Sequence, residues 1–432
     1  MKQAGPRLGG WWVAAALLLA GCGAAPPAPQ ASWAAAWGSA QLAQPAPAPN
    51  ADAQPLPAPW RQPMRDVSLR QVVRVTAAGQ ALRVRVSNVF GDEPLIIGAA
   101  SVARVAALDP QPVLAAATLT PLRFAGRREV TVPAHAEVWS DPVELALPAL
   151  ADVAVQWHVL AGPAQASVHP GSRMRSWAVA GNRAGAADWP EAVPQEGWWH
   201  LAAIDVRVAR PLPVLVVTGD SITDGYGVPS GSYQRWTDAL SRRLVDEQRE
   251  AAVVNTGIGG GRLLRDGLGP HLVSRFERDV LARTGVTHAA VLIGVNDFGI
   301  SHRGKPTTPE SRAALLAELK AGFTDLATRA RARGVCLIGS TVMPYSGSGY
   351  YAPQAENEAD RQALNAWLRE PGRFDALVDY DALMRDPARP AYLRADVDND
   401  GLHPSLAGYR AMAAAFPVAL LDRRCEKRVS AP

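Results

Sequence analysis

The chain has 432 residues, of which 48% are hydrophobic and 19% are charged, and its formal net charge is +4. This length exceeds what one hydrophobic core usually serves and predicts two domains with appendages, while the composition excludes a disordered or highly charged protein. No block of basic residues is present, and removal of Lys2 and Arg7 lowers the net charge to +2, so there is no electrostatic case for nucleic-acid binding.

Residues 1–22 have the pattern of an export signal. Lys2 and Arg7 precede an apolar stretch, 11–20, that is too short to cross a bilayer and is followed by small residues. The sequence Leu-Ala-Gly before Cys22 is similar to the lipobox of bacterial lipoproteins, which implies that Cys22 is acylated and becomes the new N-terminus. We therefore expect an exported lipoprotein at the outer membrane, in the periplasm or on the cell surface, anchored in the membrane through Cys22. The alternative is an ordinary secretory signal with an unrelated cysteine.

Residues 23–63 are rich in alanine and proline, a composition that predicts an extended tether between the anchor and the folded part. Trp33 and Trp37 interrupt this composition. The alternative is therefore that part of the segment docks on the domain that follows.

Residues 64–210 are predicted to form an all-β domain. The segment 82–86 alternates apolar and charged residues as a half-buried strand does, and turn-forming residues separate the other candidates. These other candidate strands are 72–75, 95–97, 129–132, 153–159 and 200–208. Short strands at this spacing predict a β-sandwich or a jelly roll.

Tryptophan is concentrated in the same part of the chain. Nine of the thirteen tryptophans lie between Trp33 and Trp199, including the adjacent pair Trp198 and Trp199. An exposed aromatic face would favour carbohydrate binding, whereas packing in the core is the commoner use of tryptophan. The sequence leaves both interpretations open.

Residues 211–432 alternate between predicted strands and predicted helices. The predicted strands are 214–217, 251–254, 289–293, 335–342 and 376–379, and the predicted helices are 235–247, 272–282, 315–326, 359–368 and one after Pro404. Five strands with intervening helices predict a three-layer α/β/α domain around a parallel five-stranded sheet.

A candidate nucleophile follows the first strand of this domain. Gly219-Asp220-Ser221 lies at the carboxyl end of the apolar run 214–217, where open α/β sheets bind their ligands. A serine hydroxyl needs a base and an orienting acid before it can act as a nucleophile. Asp400 and His403 follow the last predicted strand on one loop, so the carboxylate can bind one imidazole nitrogen while the other faces Ser221.

Two loops that follow neighbouring strands offer hydrogen-bond donors for an oxyanion. Loop 255–262 contains three consecutive glycines, whose backbone N–H groups can approach a substrate closely, and loop 292–297 contains the uncharged amide of Asn296. Either loop could also be a simple turn. Arg262 stands where a dinucleotide fingerprint needs its third glycine, so this loop is not a nucleotide motif.

Other polar residues near these motifs have less specific interpretations. Asp220 is predicted to anchor the turn beside the nucleophile, whereas Asp224, Asp297 and Arg262 either shape the pocket entrance or belong to solvated loops. The histidines within apolar runs are predicted to be packing residues: His158, His200 and His288.

The cysteines of the mature chain give no metal signal, because no metal-ligand spacing is present. Cys336 lies in a strand-like run and is predicted to be buried. Whether it pairs with Cys425 is left open, since the sequence does not give the distance between their Cα atoms.

The four motifs together resemble the signature blocks of the SGNH (GDSL) hydrolase superfamily. They are Gly219-Asp220-Ser221, the loop 255–260, Gly294-Val295-Asn296-Asp297 and Asp400-x-x-His403, in this order. The resemblance implies that Ser221 is the nucleophile and that Asp400 and His403 complete a triad. It implies an oxyanion hole made by the backbone amides of Ser221 and Gly260 and the side chain of Asn296, with Gly259 and Gly261 as flanking alternatives to Gly260. The segments 69–74 and 83–91 resemble the β-rich N-terminal region of exported bacterial GDSL esterases.

A second arrangement, the nucleophile elbow of α/β-hydrolases, is excluded because Gly-x-Ser-x-Gly is absent and Thr223 occupies the position of the last glycine. We therefore expect a serine esterase that needs no metal and no organic cofactor. Its expected substrates are short acyl or O-acetyl esters, including acetylated polysaccharide, with lipase or lysophospholipase activity as the alternative. From another class, a surface carbohydrate-binding lipoprotein with a vestigial hydrolase domain is disfavoured because all four motifs are intact.

Overall fold

The computed structural model describes residues 31–44, 56–108 and 111–427, together with Met1 and Gly5. The predicted signal segment, apart from Met1 and Gly5, lies outside the described residues together with Cys22 and its lipidation, as do residues 23–30 and 45–55 of the predicted tether. In the described residues no helix is both long and apolar enough to cross a membrane.

The N-terminal half is built from antiparallel β-sheets, as predicted. Its strands β1 to β15 are Ser32–Gly38, Leu42–Ala43, Arg65–Arg74, Ala81–Ser87, Leu95–Ala107, Val113–Leu114, Thr120–Pro121, Val130–Val132, Glu137–Trp139, Asp152–Ala161, Ser167–His169, Arg175–Ala180, Val193–Glu196, Trp198–Trp199 and Leu201–Val208. The largest sheet has the order β13-β12-β3-β10-β5-β6, with β7 and β8 also paired to β5. Two smaller sheets have the orders β1-β15-β4-β9 and β14-β11-β2. Short 3-10 helices cover Ala58–Trp60 and Ala116–Thr118.

The prediction of a tether over 23–63 is wrong for residues 32–43, which form β1 and β2. Strand β1 pairs antiparallel with β15, with Trp37 opposite Ile204. Ala34, Ala35 and Ala36 are fully buried, and the backbone N–H of Ala35 donates to the carbonyl of Thr284 at 2.9 Å. The small side chains that made the segment look like a linker therefore allow a close approach between the two halves of the protein.

The tryptophans of the β region, the part of the chain that contains strands β1 to β15, are used for packing. Of the nine between Trp33 and Trp199, seven are buried, and only Trp33 and Trp139 are half-buried. These two rings flank the guanidinium of Arg83 at 4.9 and 4.4 Å, an arrangement typical of a cation–π contact. In the described residues there is thus no exposed tryptophan face, and the sugar-binding interpretation loses its basis in these side chains.

The C-terminal half is a three-layer α/β/α domain with a five-stranded parallel sheet, as the sequence predicted. Strands β16 to β20 are Val214–Gly219, Ala252–Gly257, His288–Leu292, Cys336–Ser340 and Ala376–Val378. Helices α1 to α8 are Ser221–Asp224, Trp236–Asp246, Leu272–Phe276, Val295–His302, Pro309–Arg333, Ala355–Leu368, Tyr380–Met384 and Leu406–Ala415, with a π-helical turn at Glu277–Leu281 and a 3-10 helix at Val418–Asp422. Helix α2 packs with α8, and α5 packs with α3 and α6.

The strand order β17-β16-β18-β19-β20 sets the place of the site. From β16 the chain first moves to one neighbour, β17, and then crosses to the other, β18, so the loops after β16 and β18 leave on opposite sides. A crevice forms at such a reversal outside the carboxyl ends of the strands, and ligands bind there in open α/β sheets. Ser221 and Asn296 are the residues that the fold delivers to this crevice, at the starts of α1 and α4.

A buried charge cluster joins the two halves. The carboxylate of Asp279 binds Arg275 at 3.2 Å and Arg278 at 2.8 Å, and the Arg283 Nε donates to the Asp279 carbonyl. The Arg283 guanidinium also donates to the carbonyls of Ala202 and Ser39 in the β region, at 2.9 and 2.8 Å. Asp279 and Arg283 are both almost fully buried, so this cluster is part of the shared interior.

Cys336 is buried in β19 and forms a disulfide with Cys425, with their Cα atoms 5.2 Å apart. The pairing that the sequence left open is therefore present. It ties the segment after the last helix to the parallel sheet.

Candidate active site

Ser221 lies at the turn between β16 and α1. The side chain of Asp220 caps the helix by accepting from the Ile222 N–H at 3.0 Å, as its predicted role in anchoring the turn requires. A Cβ atom on Gly219 would lie 2.2 Å from the Leu292 carbonyl oxygen, so only glycine allows the strand to end this close to β18. The turn thereby presents the Ser221 hydroxyl at the carboxyl edge of the sheet, 7% exposed.

The structure brings Asp400 and His403 to Ser221. The Ser221 Oγ is 2.9 Å from His403 Nε2, and His403 Nδ1 is 2.9 Å from Asp400 Oδ2. Asp400 Oδ1 also accepts from the backbone N–H groups of Leu402 and His403, at 3.1 and 2.8 Å. The spacing of three residues thus forms a tight turn in which the carboxylate orients both the backbone and the ring of the histidine.

The pKa shifts of His403 and Asp400 suit the use of His403 as a general base. Burial lowers the pKa of His403 below its ordinary value, although the hydrogen bond and charge of Asp400 oppose this shift. Burial disfavours ionisation of Asp400, but hydrogen bonds from the His403 backbone and ring hold its pKa below the ordinary value. At neutral pH the imidazole is therefore neutral and able to accept a proton, and the carboxylate is ionised.

An aromatic ring and a cation lie on the outer side of His403. The Tyr226 ring stacks on the imidazole with centroids 4.0 Å apart, and it is 44% exposed. The Arg173 guanidinium, from the β region, lies 5.8 Å from the Tyr226 ring, and its charge contributes to the lowered pKa of His403. The sequence does not predict a place for Tyr226 or Arg173 at the site, because no local motif connects them to the triad motifs.

The three predicted oxyanion donors converge on the same edge. Gly260 has a φ of 67°, a left-handed conformation that glycine adopts without strain, and it lies in the loop after β17. In the part of the chain that the structure describes, no hydrogen bond occupies the backbone N–H of Ser221 or of Gly260. Asn296 lies in the first turn of α4 and is 3% exposed, and its Nδ2 donates to the Gly261 carbonyl at 2.8 Å, leaving its second hydrogen available.

Tyr351 fixes the orientation of the Asn296 amide. Its phenol donates to Asn296 Oδ1 at 2.6 Å, and the ring is 5% exposed. Burial raises the pKa of Tyr351, so the phenol keeps its proton and remains a donor. Because Oδ1 is held by Tyr351, the Nδ2 side of the amide faces Gly261 and the crevice. No sequence motif indicates this contact, since Tyr351 is 55 residues from Asn296 along the chain.

Asp224 and Asp297, expected at a pocket entrance or on solvated loops, are instead buried anchors. The Asp297 carboxylate accepts from the backbone N–H groups of Leu263 and Leu264 at 2.8 and 3.2 Å, and burial raises its pKa to about 6. Asp224 is 3% exposed and accepts from the Gly259 N–H at 3.2 Å. Both carboxylates thus hold the glycine-rich loop from inside, which the sequence pattern alone did not indicate.

Asp220 and Arg262 are two further ionisable residues of the loops around the triad. Burial raises the pKa of Asp220 to about 7, with the charge of Asp297 adding to the effect. Arg262 is half-buried, and its guanidinium donates to the carbonyls of Arg265 and Asp266, so it stabilises the loop that it belongs to.

The histidines predicted to be packing residues are buried. They are His158, His200 and His288, each hydrogen-bonded to a neighbouring group. Burial lowers the pKa of His200 to about 4. In the described residues no group of three or more His, Cys, Asp or Glu side chains is arranged to hold a metal ion.

Comparison with known proteins agrees with the motifs. Residues 217–411 match the GDSL-like Lipase/Acylhydrolase family. No curated protein sequence matches the chain. Among solved structures, a GDSL-like lipase from Bacteroides thetaiotaomicron has 18% identity and a TM-score of 0.36, covering 48% of this chain and 88% of that one.

Two more solved structures cover the same share of the chain. A psychrotrophic esterase from Pseudoalteromonas sp. has 16% identity and a TM-score of 0.35, covering 48% of this chain and 97% of its own. An alpha/beta hydrolase enzyme from the metagenome of Lake Arreo, Spain, has 24% identity and a TM-score of 0.33, covering 48% and 94%. The family match over 217–411 contains the first three motifs from Val217 onward and the Asp400 to His403 loop. The match of residues 217–411 to the GDSL-like Lipase/Acylhydrolase family thus confirms the resemblance to the SGNH/GDSL superfamily that the four motifs predicted.

Proposed function

We propose that this protein is a serine esterase that hydrolyses carboxylic esters through an acyl-enzyme. The observation that carries the proposal is the continuous hydrogen-bonded chain from Ser221 Oγ to His403 and from His403 to Asp400, with 2.9 Å at each step. The match of residues 217–411 to the GDSL-like Lipase/Acylhydrolase family supports a hydrolase that acts on esters. The neutral state of the imidazole supports its use as the base.

In the proposed mechanism, His403 takes the Ser221 proton as the Oγ attacks the ester carbonyl. Asp400 stabilises the imidazolium that forms and keeps the ring in the tautomer whose Nε2 faces the serine. The N–H groups of Ser221 and Gly260 and Asn296 Nδ2 donate hydrogen bonds that stabilise the negative charge on the carbonyl oxygen. One such donor is typically worth about 2.7 to 4 kcal/mol in the barrier.

The second half of the reaction uses the same groups. His403 gives its proton to the leaving alcohol, and the acyl group remains on Ser221. A water molecule then enters on the histidine side, loses a proton to His403 and attacks the acyl carbonyl. Collapse of the second tetrahedral intermediate releases the acid and restores the serine.

The groups around the crevice favour an ester of a polar alcohol. Because His403 protonates the leaving oxygen, the alcohol must lie on the histidine side, where the half-exposed Tyr226 ring and the Arg173 cation are available. An aromatic ring beside a cation suits a hydroxyl-rich or negatively charged alcohol better than a long alkyl chain. The proposed substrates are therefore esters of polar alcohols; the proposal that their acyl group is short or an O-acetyl group comes from the sequence analysis, with lipase-type or lysophospholipase-type substrates as the alternative.

We also propose that the protein is exported and held at a membrane through a lipid on Cys22, with acetylated polysaccharide or lipid near that membrane as the substrate source. The support is the sequence pattern of residues 1–22. Mass spectrometry of the N-terminal peptide tests it: a diacylated or triacylated Cys22 is expected, and an unmodified peptide cut elsewhere would contradict it.

The activity is tested with p-nitrophenyl esters from acetate to long acyl chains, using the purified full chain. We expect turnover that is fastest with the short esters and is lost in Ser221→Ala. Ser241→Ala, which removes another buried hydroxyl away from the triad, serves as the matched control and should keep the parental rate. Equal hydrolysis by the parent and Ser221→Ala would refute the assignment of Ser221, and a maximum with long chains would favour the lipase alternative.

A further inference from the structure

His169, in strand β11 of the β region, contacts Asp224, the last residue of helix α1. Its Nε2 is 2.9 Å from Asp224 Oδ1, and its Nδ1 is 2.8 Å from the carbonyl oxygen of Ala40. The ring is 4% exposed and stacks on Trp198 with centroids 5.6 Å apart. A residue 52 positions before Ser221 is thus held on both ring nitrogens, one of them by the helix that begins with Ser221.

The partners of His169 fix the orientation of its ring. The Ala40 carbonyl can only accept, so Nδ1 carries the hydrogen that it donates at 2.8 Å. Nε2 then faces Asp224 Oδ1 at 2.9 Å, within hydrogen-bond distance. The two contacts together hold the imidazole against Asp224.

Asp224 connects this pair to the groups that carry chemistry. It is the last residue of α1, the short helix that begins with Ser221, and its Oδ2 accepts from the Gly259 N–H at 3.2 Å. A Cβ on Gly171 would lie 1.9 Å from Oδ2, and one on Gly257 would lie 2.5 Å from the Asp224 nitrogen. The carboxylate is therefore enclosed by closely packed backbone, and a change in its position must move the neighbouring loop.

We propose that His169 is a positioning residue of the hydrolase: by holding Asp224 it fixes the Gly259 peptide and, through it, the adjacent N–H of Gly260 that the oxyanion needs. This inference rests on the proposed function, since it concerns the oxyanion hole of that reaction. It assigns the β region a part in catalysis, because His169, Ala40 and Gly171 all belong to it. The hydrolase fold supplies the nucleophile and base, and the β region supplies the support for one oxyanion donor.

Four variants separate positioning from packing. His169→Phe keeps a ring but removes both nitrogens, whereas His169→Gln keeps a donor near the place of Nε2. Asp224→Asn can still accept from Gly259 and can donate to a neutral His169, whereas Asp224→Ala can do neither. His200→Phe is the matched control, because His200 is a buried histidine of the same region that hydrogen-bonds the Ser87 carbonyl rather than the site.

The first readout is the steady-state kinetics of the full chain with p-nitrophenyl acetate. We expect His169→Phe and Asp224→Ala to lower kcat by about 10- to 100-fold with KM nearly unchanged, because a buried hydrogen bond is lost and the oxyanion donor is displaced. His169→Gln should recover part of the loss seen in His169→Phe, and Asp224→Asn should recover part of the loss seen in Asp224→Ala. His200→Phe should keep the parental kcat.

The second readout does not depend on activity. Hydrogen exchange followed by mass spectrometry should become faster in a peptide covering 257–261 for His169→Phe, and should not change there for Asp224→Asn. Unchanged kcat and unchanged exchange in His169→Phe would overturn the proposal, as would an Asp224→Asn enzyme as slow as Asp224→Ala. If His169→Phe fails to fold, the two Asp224 variants decide the question. A parent without Ser221-dependent hydrolysis would refute the esterase, while the exchange data would still decide the role of His169.

Discussion

Replacement of Tyr351 by phenylalanine is a specific test of how the oxyanion hole is built. The change removes one oxygen atom, whose hydrogen bond to Asn296 Oδ1 is 2.6 Å long, and leaves the ring packed where it is. Asn296 keeps its bond to the Gly261 carbonyl, so the amide is not freed completely. We expect Tyr351→Phe to weaken the preference for the productive amide orientation rather than to abolish the donor.

The size of the effect follows from these contacts. A buried acceptor that loses its donor costs about 1 to 3 kcal/mol, and the surviving Gly261 contact places this case at the lower end. A loss of about 1 to 2 kcal/mol corresponds to a decrease in kcat of roughly 5- to 30-fold. Asn296→Ala, which removes the donor itself, should cost about 2.7 to 4 kcal/mol, or roughly 100- to 1,000-fold.

The assay is a double-mutant cycle measured as kcat and KM on p-nitrophenyl acetate. Because Tyr351 acts through Asn296, the double variant should be no slower than Asn296→Ala alone. KM should change little in all three variants, since the interaction is made in the transition state. Full additivity of the two losses, or a Tyr351→Phe enzyme with parental kcat, would refute the orientation argument.

Two further predictions concern pH and stability. The acidic limb of kcat/KM should have its midpoint below 6.5, because burial lowers the pKa of His403 and the base works only when neutral, so activity is lost as pH falls through that value. Arg173→Met should move the midpoint upward, since the Arg173 charge contributes to the shift; a limb above 6.5 would contradict the role of His403 as the base, and an unmoved midpoint in this variant would contradict the contribution of Arg173. Asp279→Ala should lower the free energy of unfolding in urea by about 3 to 5 kcal/mol, because it leaves Arg275 and Arg283 buried without their carboxylate. Glu318→Ala, which breaks an exposed pair with Arg265, is the control and should cost less than about 1 kcal/mol; similar losses in both variants would contradict the burial argument.

The α/β domain was predictable because its signals are local. Strand β16 is a run of apolar residues that ends at a glycine, and helix α5 has an apolar stripe that contains the buried Leu319, Phe323 and Leu326. All five predicted strands lie within a few residues of their observed bounds. Helix α4 differs from the prediction, because the sequence analysis predicts only a loop around Asn296 and residues 295–302 are helical.

Contacts between residues that are distant along the chain are harder to predict from the sequence. Strand β1 pairs with β15, 163 or more residues later, and nothing within an alanine-rich segment indicates that partner. For the same reason, the sequence predicts the roles of Ser221, Asp400 and His403 but not those of His169 and Tyr351. Ser221, Asp400 and His403 belong to short motifs. His169 and Tyr351 each contribute a single side chain from a remote strand or loop. Register and burial in the folded chain decide such contacts, and a residue type alone does not specify them.

Strand β1 also changes the distance at which a lipid-anchored form of this protein could work. If Cys22 carries the anchor, only residues 23–31 separate it from the first strand, and nine residues span at most about 30 Å when fully extended. A tether over the whole of 23–63 would have allowed a reach of roughly 140 Å. The folded body would then remain next to the lipid headgroups, and its esters would have to be carried by molecules at the membrane surface or brought to it by diffusion.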